Sequence, residues 1–308
     1  MELRTRPSLL MHYACFYLAR TPTKKTLGAP ALVEADRVKN RAVGPAPLPK
    51  KLTKRLTTTR TSRPGLETIE VVPTGVAVER TIVYVHGGGY LNPMVAPHWD
   101  LVAALAAENR ARVILPLYPL APEGTAATVL PVLVDLHRDL TASGEGIVWA
   151  GDSAGGGLVT ALAFRLKDSD LPQPEHLVLL APWLDLEMKN PALPAVERRD
   201  PTLASAGLHY CASLWAGGTA LDSVDNSPIN GDPAGLPPIT LFVGTRDLLV
   251  ADCRDFARQA EASGVDIELW EAPGAFHVFV AGTILPESRA ARGIITGRLR
   301  AAVTAPGR

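Results

Sequence analysis

Ile147-Val148-Trp149-Ala150-Gly151-Asp152-Ser153-Ala154-Gly155-Gly156 is a short apolar strand that runs into Gly-x-Ser-x-Gly. Beyond it Leu158, Val159, Ala161, Leu162 and Phe164 recur at helical spacing. Strand, tight turn and helix in that order are what a nucleophile elbow requires. Such a turn strains Ser153 and exposes its hydroxyl. Gly151 and Gly155 leave room for strand and helix to approach. The Ala154 amide then falls at a helix N-terminus, where unpaired donors and the positive dipole end favour an oxyanion. Small residues also fill ordinary helix starts, so the flanking elements carry the reading.

Upstream, Thr81-Ile82-Val83-Tyr84-Val85 reads as a buried strand that opens directly into His86-Gly87-Gly88-Gly89-Tyr90. Three glycines at a strand end cost backbone entropy, which a plain linker does not explain. The amides of Gly87 and Gly88 are expected to join that of Ala154 in an oxyanion hole; one such donor contributes about 2.7–4 kcal/mol to a transition state. A phosphate loop is the competing reading, but neither Gly-Lys-Ser/Thr nor a helix-opening Gly-x-Gly-x-x-Gly follows.

A base and its orienting acid are expected after later strands, in the order Ser, acid, His. Pro238-Ile239-Thr240-Leu241-Phe242-Val243-Gly244 is a strand followed by Thr245-Arg246-Asp247, which puts Asp247 at a strand's carboxyl end. An amphipathic helix with Cys253, Phe256, Ala257 and Ala260 on its apolar side comes next, and then the strand Asp266–Trp270. The loop Pro273-Gly274-Ala275-Phe276-His277 follows. His277 is the one histidine placed after the acid and at a strand end. Asp247 could merely cap its helix, but the Ser–Asp–His order favours the triad.

With these motifs in order, the chain resembles the hormone-sensitive-lipase-like group of α/β-hydrolases from about Thr81 to the Gly282 region. His86-Gly87-Gly88-Gly89-Tyr90, Tyr118-Pro119-Leu120-Ala121-Pro122-Glu123, Gly151-Asp152-Ser153-Ala154-Gly155-Gly156, Pro182-Trp183-Leu184-Asp185 and Ser227-Pro228-Ile229 carry the likeness. The Asp247 and His277 loops complete it. The resemblance implies an esterase or lipase with a serine nucleophile, and N-terminal helices that help to cap the site. Two departures, the Arg missing after Tyr118 and Val278 in place of Gly after His277, bear on substrate shape rather than on proton transfer.

Strands alternating with helical segments imply a mostly parallel sheet with helices on both faces. Glu67–Val72 and Val76–Val78 read as early antiparallel or edge strands, Arg112–Leu115 and His176–Leu180 as inner ones. Helices are expected at about 99–109 and 127–140. A basic arm or cap segment spans 1–65, and the catalytic domain spans 66–308. An insert at about 185–226, with the helical run Leu208–Trp215, is long enough for a lid. Tyr90, Trp183, Leu184 and Tyr210 are candidate pocket walls; their alternative is ordinary core. Asp152 is expected to anchor the turn or to shape the local charge, and proton transfer is not assigned to it.

At 308 residues, 47% apolar and 20% charged, the chain can bury a large core. Cys15, Cys211 and Cys253 show no CxxC spacing, which argues against a disulfide framework or zinc site and for a reducing, cytoplasmic setting. No run of eighteen apolar residues suggests a membrane span, and His12 and Arg20 interrupt any signal-peptide pattern. Net charge is zero, yet through Arg63 there are fourteen Lys/Arg against only Glu2, Glu34 and Asp36. The arm lacks the interleaved aromatics of a nucleic-acid binder. It is expected either to fold onto the acidic remainder or, through the apolar run Leu9–Leu18 with its basic flanks, to lie peripherally on an anionic membrane.

The expected activity is hydrolysis of short- to medium-chain acyl esters through an acyl-enzyme, with a small-molecule ester as partner, no nucleic acid, and no metal or organic cofactor. A deacetylase or amidase using the same machinery is the alternative, and a non-reacting ligand receptor is a more distant one. Oligomeric state is left open, a dimer included.

Overall fold

Strands that are apolar on both faces need a helical layer on each side. The structure, a computed structural model, describes residues 1–142 and 144–304. β1 (Leu56–Arg63), β2 (Leu66–Pro73), β3 (Arg80–Val85), β4 (Ala111–Leu117), β5 (Ile147–Asp152), β6 (His176–Leu180), β7 (Ile239–Gly244) and β8 (Ile267–Ala272) form one sheet. Their order is β1-β2-β4-β3-β5-β6-β7-β8. The β1–β2 and β2–β4 pairs are antiparallel, and β4 through β8 run parallel. The helices are α1 (Leu9–Leu18), α2 (Thr23–Leu27), α3 (Pro30–Val43), α4 (Ala96–Glu108), α5 (Ala126–Thr141), α6 (Ala154–Asp168), α7 (Leu193–Glu197), α8 (Ser205–Ala216), α9 (Val250–Ala262) and α10 (Pro286–Thr304).

The two-residue period of a strand sorts side chains between two cores. Val83, Val85, Ile147, Trp149, Leu177 and Leu179 face the layer of α5, α6 and α9. Ile82, Tyr84, Val148, Ala150, Val178 and Leu180 face α4 and α10, with Met11 and Cys15 of α1 in the same cluster. These strand residues are all buried.

Two expectations are corrected. Val76–Val78 is loop, because Val78 is exposed and the stretch pairs with no strand among the described residues. The sheet also begins inside the expected arm, at β1. Its run of Thr and Arg shows no apolar alternation because only Leu56 is buried on this edge strand. The rest of the arm folds back as α1 to α3. Arg41 pairs with Glu123 at 3.0 Å, Lys51 with Asp100 at 2.8 Å, and Arg63 with Asp139, so basic arm meets acidic body. The helical run in the insert is α8, which packs on α2 and α3.

Candidate active site

Parallel strands deliver their C-terminal ends to one rim, and the expected chemistry collects there. Ser153 follows β5, Asp247 follows β7, His277 follows β8, and the glycine run follows β3. Ser153 holds φ 53° and ψ −123°, a strained conformation fixed by its neighbours. Its N–H donates to Leu180 O at 2.9 Å, and its carbonyl accepts from Gly157 and Trp183 at 3.0 and 2.9 Å. The sharp turn needs Gly155, where a Cβ would lie 2.1 Å from Val85 O.

His277 Nε2 lies 2.8 Å from Ser153 Oγ, and His277 Nδ1 lies 2.8 Å from Asp247 Oδ2. With Nδ1–H donating to the carboxylate, Nε2 is left to accept the serine hydroxyl proton. Asp247 is fully buried, and its other oxygen accepts from Leu249 N–H at 3.0 Å. The acid and base loops are stitched together by Arg246 N–H to Ala275 O at 3.0 Å and Gly274 N–H to Thr245 Oγ1 at 2.8 Å. Burial lowers the His277 pKa, but the Asp247 charge and hydrogen bond, helped by Asp200 and Asp152, outweigh it, so the net shift is upward.

The glycine run departs from expectation by one residue. Gly87 N–H is already committed, donating to Asp152 Oδ1 at 2.9 Å. Among the described residues no protein acceptor takes the amides of Gly88, Gly89 or Ala154. Gly88 and Gly89 border the cavity at Ser153. Gly88 sits at φ 117°, and a Cβ there would lie 2.6 Å from Asn92 O. The free amides are therefore those of Gly88, Gly89 and Ala154, and Gly87 is a fastening.

Asp152 is the post to which Gly87 is fastened. Its Oδ1 also accepts from Tyr84 OH at 2.5 Å, and His98 Nε2 stands 3.4 Å from Oδ2. His98 Nδ1 accepts from Val95 N–H at 2.9 Å, which leaves Nε2–H to face the carboxylate. Burial would raise the Asp152 pKa, but His98, Tyr84 and the Gly87 amide reverse that and hold it at about 2. Burial and the nearby His98 lower His86 to about 4.

The family described as alpha/beta hydrolase fold matches residues 82–281. An acetyl-hydrolase of Streptomyces hygroscopicus is 32% identical over 72% of this chain and 76% of its own length. The chain belongs to the α/β-hydrolase family. Esterase LipU of Mycobacterium tuberculosis is 31% identical over 68% of this chain and 73% of its own. A crystal structure of an esterase from the bacterial hormone-sensitive lipase family superposes with TM-score 0.81 at 29% identity, covering 96% of this chain and 99% of that one. This hydrolase is thus of the hormone-sensitive-lipase-like kind.

In this hydrolase a cavity of about 450 Å³ opens over Ser153 and His277. Thr23, Thr26, Leu27 and Val33 from the N-terminal helices and Leu203, Leu208 and Cys211 from the insert form its walls. None of the four expected wall residues borders the cavity. Tyr90, Trp183 and Leu184 are buried in the core, where Tyr90 stacks on Trp215 at 4.1 Å between ring centroids. Trp183 lies under the elbow helix, since a Cβ on Gly157 would meet its carbonyl at 2.1 Å. Tyr210 points away from the cavity, and its OH donates to Glu34 Oε2 at 2.8 Å, joining α8 to α3. Sequence reasoning missed Asp200, a buried carboxylate that accepts from Leu248 N–H at 2.7 Å beside Asp247. The sequence carries no spacing signal for it.

Proposed function

We propose that this protein is a serine carboxylesterase that cleaves short- to medium-chain acyl esters through an acyl-enzyme. The observation that carries the reading is the continuous hydrogen-bonded line Ser153–His277–Asp247, at 2.8 Å in each link, facing an apolar cavity. In this mechanism His277 takes the Ser153 proton as Oγ attacks the ester carbonyl. Asp247 holds the ring in its tautomer and stabilises the imidazolium. The Gly88, Gly89 and Ala154 amides receive the developing oxyanion. His277 then protonates the leaving alkoxide, and water activated by the same ring releases the acid. The names of the relatives, acetyl-hydrolase and esterase, support the class of bond. A cavity of about 450 Å³ accommodates short and medium acyl groups, whereas longer ones would project from its mouth.

The test is a series of p-nitrophenyl esters from acetyl to dodecanoyl, with matched anilides alongside. The expected profile peaks at short to medium chains, with esters turned over faster than anilides. Faster anilide cleavage would transfer the protein to the amidases.

A second reading concerns location, and it too is a proposal. Among the described residues no helix is long and apolar enough to cross a membrane. However, α1 leaves Leu9, Tyr13, Phe16 and Tyr17 at 89, 66, 56 and 61% exposure, with Arg4, Arg6 and Lys25 nearby in the chain. Such a stripe supports peripheral membrane association. Phe16→Ser/Tyr17→Ser should reduce co-sedimentation with anionic vesicles; unchanged sedimentation rejects this reading.

A further inference from the structure

On the outer side of α2 lies a second depression, of about 400 Å³, which the catalytic machinery does not use. Arg20, Lys24, Arg198, Arg199 and Arg246 line it, together with Cys15 and Phe16. Like charges gathered around one concavity repel and are normally offset by carboxylates. Elsewhere in the arm that offset is made, as at Arg41–Glu123 and Lys51–Asp100. Among the described residues none of the five cations here makes an ion pair. The single acidic lining residue, Asp200, is buried and spends its oxygens on the amides of Thr202, Leu203 and Leu248.

Two of the cations are held in place. Lys24 Nζ donates to the carbonyls of Glu197 and Asp200, pinning α2 to the insert. Arg20 lies over the Phe16 ring, 3.2 Å from its centroid, and donates to Phe16 O at 2.9 Å. Arg198 and Arg199 are exposed, reach in from the insert and have no protein partner. Arg246 comes from the loop that carries Asp247. Guanidinium forks pair bidentately with carboxylate and phosphoryl oxygens alike, and five cations around one concavity favour the anion of higher charge, the phosphoryl group.

We propose that this depression binds a phosphoryl anion, either a soluble phosphate ester or a phospholipid headgroup. Occupancy would draw together α1, α2, the insert and the Asp247 loop. Because α2 presents Lys24 to this depression and Thr23, Thr26 and Leu27 to the catalytic cavity, the anion would also firm one wall of the substrate site.

The test uses the full chain and sodium pyrophosphate, read by thermal shift and calorimetry, against sodium chloride and sodium acetate at matched ionic strength. A saturable rise in Tm specific to pyrophosphate is expected. Arg198→Gln/Arg199→Gln, both at exposed positions, should bind at least ten-fold more weakly while kcat and KM without the anion stay unchanged. Vesicles of phosphatidylglycerol and phosphatidylcholine separate the two sources. Phosphatidylglycerol binding that pyrophosphate displaces identifies a headgroup, and pyrophosphate binding without vesicle binding identifies a soluble ligand. A Tm response that chloride or acetate reproduces, or equal pyrophosphate binding by the double variant, overturns the proposal.

Discussion

Asp152→Asn separates the fastening of the oxyanion loop from the chemistry it serves. The substitution keeps the shape of the side chain and removes its charge. Its oxygen can retain Gly87 N–H and Tyr84 OH at the Oδ1 position, but its NH₂ group then faces His98 Nε2–H, donor against donor. The reverse rotamer loses the Gly87 bond instead. A carboxyl held at about 2 rather than 3.8 contributes ~2 kcal/mol to folding when ionised. Because this pKa is depressed in the fold, the contribution is complete above the unfolded value and is lost as pH falls through the folded one. Urea unfolding of both proteins should therefore show a gap of ~2 kcal/mol at pH 7 that is roughly halved by about pH 3. Gly88 and Gly89 lie on the loop that Gly87 fastens, so kcat should fall by about 10- to 100-fold, less than the full loss of one oxyanion donor. KM for a short ester should change little, because the walls from α2, α3 and the insert do not depend on Asp152. A stability gap that does not depend on pH would refute the electrostatic account. Wild-type kcat in Asp152→Asn would refute the fastening itself.

The base should titrate high: with His277 shifted upward by Asp247, the acid limb of kcat/KM is expected above pH 6.5, since only the neutral ring accepts the Ser153 proton. Asp247→Asn should move that limb down and cost up to ~10⁴-fold in kcat. An acid limb unchanged by the substitution would count against the pairing. Gly155→Ala puts a methyl 2.1 Å from Val85 O, so melting and fluorophosphonate labelling of Ser153 should both fall sharply; normal labelling would show that the elbow tolerates a Cβ. Thr26→Trp fills the cavity from α2 and should shift the acyl-length optimum towards acetyl without changing the rate of serine labelling. An unchanged optimum would mean that the acyl group lies elsewhere.

The strands and the elbow were legible because their signals are local. Continuous apolar runs, a glycine where two backbones meet and a positive φ at Ser153 are all constraints within a few residues of the motif. The order Ser153, Asp247, His277 was legible because each follows a strand, and parallel strands end at one rim. Assigning the glycine amides needed the fold: whether Gly87 is free depends on Asp152 arriving from another strand with an ionised oxygen. The walls of the cavity needed it too. Trp183 and Leu184 follow a strand end, as a pocket residue would, yet the chain carries Trp183 beneath α6 and buries Leu184 in the core, while α2 and Leu208 close the site from segments distant in sequence. Short-range stereochemistry is written in the order of residues. The partner that a donor, an apolar ring or a cluster of arginines meets depends on packing between remote segments, and only the folded chain decided it.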